Sequence, residues 1–267
     1  MRTLADLFPD GGRQFHLTLR RGEPGAFFGP GAGADAVRQE RARWLAADPA
    51  RYAALLPEGE PLFAEFRALC GEWNIAGGET VGALGAEVEP DFLLLSPDEQ
   101  GQFRLRGGAL CFPTGWALEE KLGRTMEFIH GAVPGLNQAL GDPIQRFLQK
   151  LTPGAAFLRD NWGIAASPEL NLHPARGIAP PDRDAKLDRL WLRVEHQALM
   201  ALPKTGGVVF GIRIGLHRLD EVRREREIAA RLASALEALT PELAEYKRLA
   251  RVRESLVRRL RDDTLSP

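Results

Sequence analysis

The order of its apolar, β-prone segments constrains this chain more than any other feature. Two helical segments, 116–129 and 137–151, separate the second strand candidate from the third. The five strand candidates are 91–95, 103–112, 156–165, 190–194 and 207–219. Strands and helices do not alternate strictly, so the order is not that of a doubly wound fold. It predicts an α+β protein with a small antiparallel sheet and helices crossing one face.

Composition divides the chain into three parts. Residues 1–34 end in a stretch rich in glycine and proline, which predicts a flexible N-terminal arm. Residues 35–219 hold short N-terminal helices and then the strand candidates, and they form the predicted central domain. Residues 220–267 carry two apolar stripes at helical spacing and many charges, which predicts a helical C-terminal extension.

Charge and cysteine content exclude several functional classes. With 35 Lys+Arg against 36 Asp+Glu, the chain lacks the basic excess of a general nucleic-acid binder. No apolar run approaches the roughly 20 residues that a membrane span requires. Cys70 and Cys111 lie in no CxxC pair, so ligands for structural zinc or an iron–sulfur cluster are missing. We expect a cytoplasmic protein with no nucleic-acid or membrane partner.

The histidine at a predicted helix end has two interpretations. His130 closes the segment MEFIHG, and Gly131 stands where a C-cap glycine belongs. An imidazolium there would gain about 1 kcal/mol from the helix dipole. Alternatively, a helix end beside a sheet holds an imidazole rigidly above an apolar pocket, where it can bind a metal or haem iron. The spacing alone leaves both interpretations open.

Alternation along two strand candidates separates charged side chains onto defined faces. In FLRDNWGIA, Arg159 and Asn161 share one face of the strand, and Trp162 points to the other. In the last candidate Arg213 stands between two glycines at i−2 and i+2. The glycines leave room on that face for a bulky ligand or for a packed helix, and Arg213 could pair an anion.

The segment LWLRVEHQALMALP carries charges inside an apolar run. As a continuous strand it places Arg193, Glu195 and Gln197 on one face and His196 on the other, whereas a helical turn near Glu195 would abolish that separation. A buried unpaired charge costs several kcal/mol, so both charged groups need partners. They either pair with each other, or the carboxylate binds a cationic amine and the guanidinium binds a propionate or another carboxylate.

Five ordered blocks of the sequence resemble one known family. They are FRLRGGALCFPTGWALEEKLG, FIHGAVP, FLRDNWGI, LRVEHQALMALPKTGGVVFGIRI and PELAEYKRL. They resemble the haem-dependent oxidative N-demethylase family, specifically its haem-bearing α subunit, over residues 37–246. The resemblance implies a haem-binding PAS-like fold, and the order of strand candidates agrees with it.

The resemblance also implies a cofactor and its ligands. The cofactor is haem b held without covalent links, consistent with the missing CxxCH motif. His130 is the first candidate for the axial ligand to the haem iron, and His196 is the second. Cys111 is a distant third, and a small buried hydrophobe is its commoner role.

The implied reaction is removal of a methyl group from a small secondary amine such as dimethylamine, using O2 and two electrons. Glu195 would anchor the alkylammonium group. Arg193, Arg159 and Arg213 would contact haem propionates or the distal side, and Trp162 would form part of the pocket wall.

The family implies partners for this reaction. A separate reductase subunit must supply electrons, because no flavin or nicotinamide fingerprint is present in the sequence. Formaldehyde would pass to a folate-binding partner. The alternatives are a haem-binding sensor and a structural subunit that has lost its haem, because a fold alone does not determine function.

Overall fold

The computed structural model describes residues 4–8 and 18–262. Within them a single sheet forms the centre of the molecule. Its strands are β1 (Arg20–Gly22), β2 (Ala53–Leu55), β3 (Asp91–Pro97), β4 (Phe103–Ala109), β5 (Ala156–Ala165), β6 (Trp191–Ala201) and β7 (Val208–Arg218). Their spatial order is β1-β5-β6-β7-β3-β4-β2, and every neighbouring pair is antiparallel.

The helices cluster before, inside and after this sheet. Those before β3 are α1 (Pro24–Phe28), α2 (Ala34–Ala47), α3 (Pro49–Tyr52), α4 (Glu60–Glu72) and α5 (Val81–Glu87). Those between β4 and β5 are α6 (Leu118–Lys121), α7 (Met126–Gly131) and α8 (Leu136–Gln149). Those after β7 are α9 (Leu219–Arg224), α10 (Arg226–Glu237), α11 (Pro241–Tyr246) and α12 (Arg253–Arg261). Short 3-10 helices occupy Leu4–Leu7, Pro57–Gly59, Pro174–Arg176 and Leu187–Arg189.

The predicted α+β class, the antiparallel sheet and the order of strands and helices along the chain are confirmed. Each of the five strand candidates forms one of β3 to β7, and the helical segments lie between β4 and β5 as expected. The ambiguous segment is a continuous strand, since β6 runs unbroken to Ala201 and pairs with β7 over its whole length. The side-chain separation that this strand predicts is therefore present.

The register of β5 and β6 defines two faces of the sheet. Arg159 lies opposite Gln197, and Asn161 lies opposite Glu195, so these four side chains share one face. We call it the front face. The opposite side, which carries Trp162, is the back face. Successive residues of a strand point to opposite faces, so His196 and Arg213 also lie on the back face.

Helices cover both faces, which corrects the prediction of helices on one face only. On the front face, Leu148 of α8 packs in one apolar cluster with Leu93 and Ile212. On the back face, Phe66 of α4 packs with apolar strand residues, and Leu232 of α10 packs in a second cluster. The central strands carry apolar residues on both faces, so each face has to be covered to bury them.

The described part of the predicted flexible arm is packed structure. Residues 18–34 contain β1 and α1, and the Phe28 side chain is fully buried. Its ring stacks on Trp73, with 5.7 Å between the ring centroids. The glycine-rich composition concealed this anchor, because its large buried side chains are two adjacent aromatic residues, Phe27 and Phe28. Residues 1–3 and 9–17 lie outside the described residues.

Among residues 4–8 and 18–262, no helix is both long and apolar enough to span a bilayer.

Candidate functional site

A buried carboxylate occupies the centre of the front face. Glu195 is 8% exposed, and Thr114 Oγ1 donates a hydrogen bond to its Oε1 at 2.5 Å. Asn161 Nδ2 and Gln197 Nε2 donate to its Oε2 at 3.2 Å and 2.8 Å. All three donors are neutral, and no cationic side chain of the described residues lies within ion-pair distance of this carboxylate. Glu195 therefore has no ion-pair partner among the described residues, although its charge raises the pKa values of the nearby Arg159, Arg193 and Lys247.

Arg193 does not form the salt bridge with Glu195 that was one of the two interpretations. It is 1% exposed, and its Nε donates to Thr114 Oγ1 at 2.9 Å. Its terminal nitrogens donate to the carbonyl oxygens of Phe112 at 2.8 Å, Leu170 at 2.7 Å and Glu169 at 3.3 Å. Burial lowers its pKa to about 10. The guanidinium fixes two loops and the Thr114 hydroxyl, and its contacts are with protein groups.

Arg159 is the cation of this face that has no assigned partner. It is half-buried, and no hydrogen bond or ion pair joins it to another described residue. Burial lowers its pKa, while the charges of Glu195 and Asp160 act in the opposite direction. A half-buried guanidinium without an acceptor is suited to an anionic ligand such as a carboxylate.

His130 lies where its helix was predicted to end. Thr125 Oγ1 caps the start of α7 by accepting a hydrogen bond from Phe128 N at 3.2 Å, and the helix stops at Gly131. Burial lowers the pKa of His130 to about 4, and the charge of Arg159 adds to this effect. The imidazole is therefore neutral at pH 7, and no described side chain bonds to its ring. A neutral imidazole with a free lone pair is the form that binds a metal.

Open space lies beside Gly163 on the front face. A Cβ added to Gly163, which follows Asn161 on this face, would meet nothing within 4 Å. Gly163 itself is half-buried, and it lies opposite Arg193 in the register of β5 and β6. A separate cleft of about 580 Å³ lies on the outer side of α7 and carries none of these charged groups.

Tyr246 and Lys247, at the C-terminal end of α11, interact electrostatically with Glu195, and sequence reasoning missed both. Lys247 Nζ donates to the Trp162 carbonyl oxygen at 2.6 Å and lies 5.1 Å from the centroid of that ring. Burial lowers the pKa of Lys247 to about 8, although the charge of Glu195 raises it. Burial and the charge of Glu195 both raise the pKa of Tyr246, which is 48% exposed. Their only sequence signal was their place in the block PELAEYKRL. Thr114 was marked in the same way, only by its place in the block FRLRGGALCFPTGWALEEKLG.

The remaining predicted residues lie on the back face, away from Glu195. His196 Nδ1 bonds Asp160 Oδ1 at 2.7 Å. Arg213 forms an ion pair with Glu89 and donates to the Phe27 carbonyl oxygen at 2.8 Å. The Trp162 ring packs against Phe8 and Lys247.

Of the two glycines that flank Arg213, Gly211 has its room taken by a packed helix, which was one of the two interpretations. A Cβ on Gly211 would lie 2.6 Å from the Phe27 ring and 2.7 Å from the Phe28 ring. Both rings belong to the end of α1. This part of the back face is therefore filled by the protein itself.

Cys111 is fully buried, and burial raises its pKa to about 12. Its sulfur is a protonated thiol at pH 7, whereas a metal ligand needs the thiolate. Among the other histidines, His173 accepts a hydrogen bond from Ala175 N, and His16 lies outside the described residues.

The chain is an α+β protein whose antiparallel sheet carries a buried carboxylate and a guanidinium without a hydrogen-bond partner among the described residues, and a neutral imidazole lies near that guanidinium. The family model described as "Haem-dependent oxidative N-demethylase, alpha subunit-like" matches residues 39–257. The chain belongs to this family, and the resemblance carried by the five sequence blocks is confirmed. The family name makes it a subunit of a haem-dependent oxidative enzyme.

The front-face residues fit a haem group. Among the described residues, no three His, Cys, Asp or Glu side chains come together as a metal site. Iron held in a porphyrin needs only one or two protein ligands, and His130 is in the right protonation state to be one. Arg159, whose charge acts on His130, has no hydrogen-bond or ion-pair partner among the described residues and is a cation suited to an anionic edge of the cofactor.

Proposed function

We propose that this protein is the haem-bearing subunit of an oxidative N-demethylase that acts on a small secondary amine such as dimethylamine. The observation that carries the proposal is the Glu195 carboxylate, which is buried, held by three neutral donors and without an ion-pair partner among the described residues. Burying such a charge is unfavourable until a cation joins it. A protonated secondary amine supplies that cation and two N–H donors.

His130 and Arg159 are the residues that would hold the cofactor. His130 would be the axial ligand to the iron, and Arg159 would pair with a propionate of non-covalently bound haem b. Haem supplies the activation of dioxygen when it is bound, and the protein sets ligation, polarity and orientation. The antiparallel sheet, with helices inserted between its second and third long strands, supports the PAS-like designation.

The protein's own residues bind and orient the amine. Glu195 accepts hydrogen bonds from the substrate N–H groups and fixes the nitrogen. Thr114 stays aligned because Arg193 donates to the same hydroxyl that donates to Glu195. Arg193 is therefore a positioning residue. Trp162 contributes to the site through its contacts with Lys247.

The overall reaction consumes electrons and protons that must reach the site. For dimethylamine, one O2, two electrons and two protons give methylamine, formaldehyde and water. Lys247 can release a proton near neutral pH and take one back from solvent, because its pKa is about 8. The electrons come from a separate reductase subunit, and the formaldehyde passes to a folate-binding partner. Both cysteines are free and buried, in keeping with a reducing cytoplasm.

A turnover assay tests the proposal. The full-length chain, loaded with haem, is mixed with a surrogate reductase and dimethylamine, and oxygen uptake and formaldehyde are followed together. We expect amine-dependent oxygen uptake with one formaldehyde released per oxygen consumed. Haem-loaded protein that ignores a panel of secondary amines would contradict the proposal in favour of a sensor. Protein that takes up no haem would contradict it in favour of a structural subunit.

A further inference from the structure

Two histidines converge on one point of the back face. A Cβ placed on Gly215 would lie 3.2 Å from His196 Nε2 and 3.5 Å from His217 Nε2. His217 follows Gly215 by two residues on β7, while His196 comes from the neighbouring strand β6. A side chain at position 215 would therefore contact both ring nitrogens, and the glycine keeps this point free.

A carboxylate fixes the ring of His196. Asp160 Oδ1 lies 2.7 Å from His196 Nδ1, and the Asp160 side chain is 5% exposed. Arg20 pairs with the other oxygen of Asp160 at 3.1 Å, which keeps this carboxylate ionised and in place. Because Nδ1–H donates to the carboxylate, the lone pair lies on Nε2, the ring nitrogen next to Gly215. A carboxylate behind an imidazole is the usual outer contact of a metal-bound histidine.

The second imidazole is also available for a metal. No described residue forms a hydrogen bond with the His217 ring. Burial lowers the pKa of His217, and the neighbouring His196 acts in the same direction, while Glu221 acts in the opposite direction. His196 is 45% exposed on its side chain, so solvent can supply the remaining ligands of an ion.

We propose that His196 and His217 form a binding site for a divalent transition metal such as Zn²⁺ over Gly215. The site is distinct from the Glu195 site, because the two lie on opposite faces of the sheet. Two imidazole ligands select borderline metals, namely Zn²⁺, Ni²⁺ and Cu²⁺, over Mg²⁺ and Ca²⁺. Water completes the coordination, and Asp160 orients His196 from behind.

Calorimetric titration of the metal-stripped, full-length, haem-loaded chain with Zn²⁺ tests the proposal. We expect one Zn²⁺ per chain, with His196→Ala and His217→Ala each weakening binding at least tenfold. Asp160→Asn should weaken it by roughly 10- to 100-fold, the range typical of such outer contacts. Glu89→Gln, which breaks the ion pair with Arg213, should leave Zn²⁺ binding unchanged.

A pair of glycine variants separates the site from general surface binding. Gly215→Ala puts a methyl group between the two ring nitrogens and should weaken Zn²⁺ binding without removing a ligand. Gly163→Ala meets open space and serves as the matched control. Electron paramagnetic resonance with Cu²⁺ reports the ligands independently and should show two coordinated nitrogens, one fewer in His217→Ala. Undiminished Zn²⁺ binding by the double variant His196→Ala/His217→Ala, or no Zn²⁺ binding by the unaltered chain at millimolar metal, would overturn the proposal.

Discussion

Asn161 and Glu195 are direct partners in the register of β5 and β6, and Asn161 Nδ2 donates to Glu195 Oε2 at 3.2 Å. The pairing fixes the carboxylate from one side, while Thr114 fixes its other oxygen from a loop. Glu195 is therefore oriented by the sheet itself. Its charge needs no movement of the protein before a cation can bind, which is the condition for a preorganised site.

The charge of Glu195 should determine amine affinity. Glu195→Gln keeps the shape and a carbonyl acceptor for Thr114 but removes the negative charge. We expect the Kd for dimethylamine to rise at least tenfold at pH 7, measured by calorimetry on the haem-loaded protein. The matched control is Glu89→Gln, which breaks the ion pair with Arg213 on the back face and should leave the Kd unchanged. Equal amine affinity in Glu195→Gln and the unaltered protein would rule out this anchor.

The two front-face arginines should differ in what they contribute to stability. Arg193→Met leaves three carbonyl oxygens and Thr114 without their donor, so we expect a loss of about 3 kcal/mol of unfolding free energy. Arg159→Met removes no protein partner and relieves a buried charge, so the unfolding free energy should not fall. Haem affinity should fall in Arg159→Met. Urea unfolding and haem titration measure the two effects, and a reversed order of stabilities would contradict these roles.

Lys247 should make stability depend on pH in the alkaline range. Its folded pKa is about 8, below the ordinary value of 10.5, so the unfolded chain binds more protons between these values. Unfolding free energy should therefore rise with pH across that window, by an amount that Lys247→Met removes. Urea unfolding of both proteins at intervals from pH 7 to pH 10 checks this. A constant stability difference between them would show that Lys247 titrates normally.

Substitution by alanine should change the stability at one glycine and not at another. Gly211→Ala forces a methyl group against the buried Phe27 and Phe28 rings, at a cost of about 1 to 3 kcal/mol. Gly163→Ala meets nothing within 4 Å and should be neutral for stability. Gly163→Leu would fill the open space beside Gly163 on the front face and should reduce haem uptake. Thermal unfolding and haem titration distinguish the three variants, and full haem uptake by Gly163→Leu would place the cofactor elsewhere.

Much of the fold follows from short-range patterns in the sequence. Period-two alternation predicted that Arg159 and Asn161 lie on one face of the sheet and Trp162 on the other. It also separated Glu195 from His196, given that β6 is a continuous strand. The three-residue strands β1 and β2 were not predicted, because so few residues show no period.

The content of each face did not follow from local patterns. The glycines beside Arg213 indicated empty space, but the rings of Phe27 and Phe28, far away in the chain, fill it at Gly211. Thr114 and Lys247 reach the site from loops about 80 and 50 residues from Glu195 in sequence, and no local period connects them. Contacts of this kind depend on tertiary packing.

The absorption spectrum of haem-loaded protein tests the central claim most directly. His130→Ala and His196→Ala are compared with the unaltered chain after expression with iron and a haem precursor. If His130 is the axial ligand, His130→Ala should lose or strongly shift the Soret band, while His196→Ala should keep the spectrum of the unaltered protein. A Soret band that survives unchanged in His130→Ala and disappears in His196→Ala would contradict it.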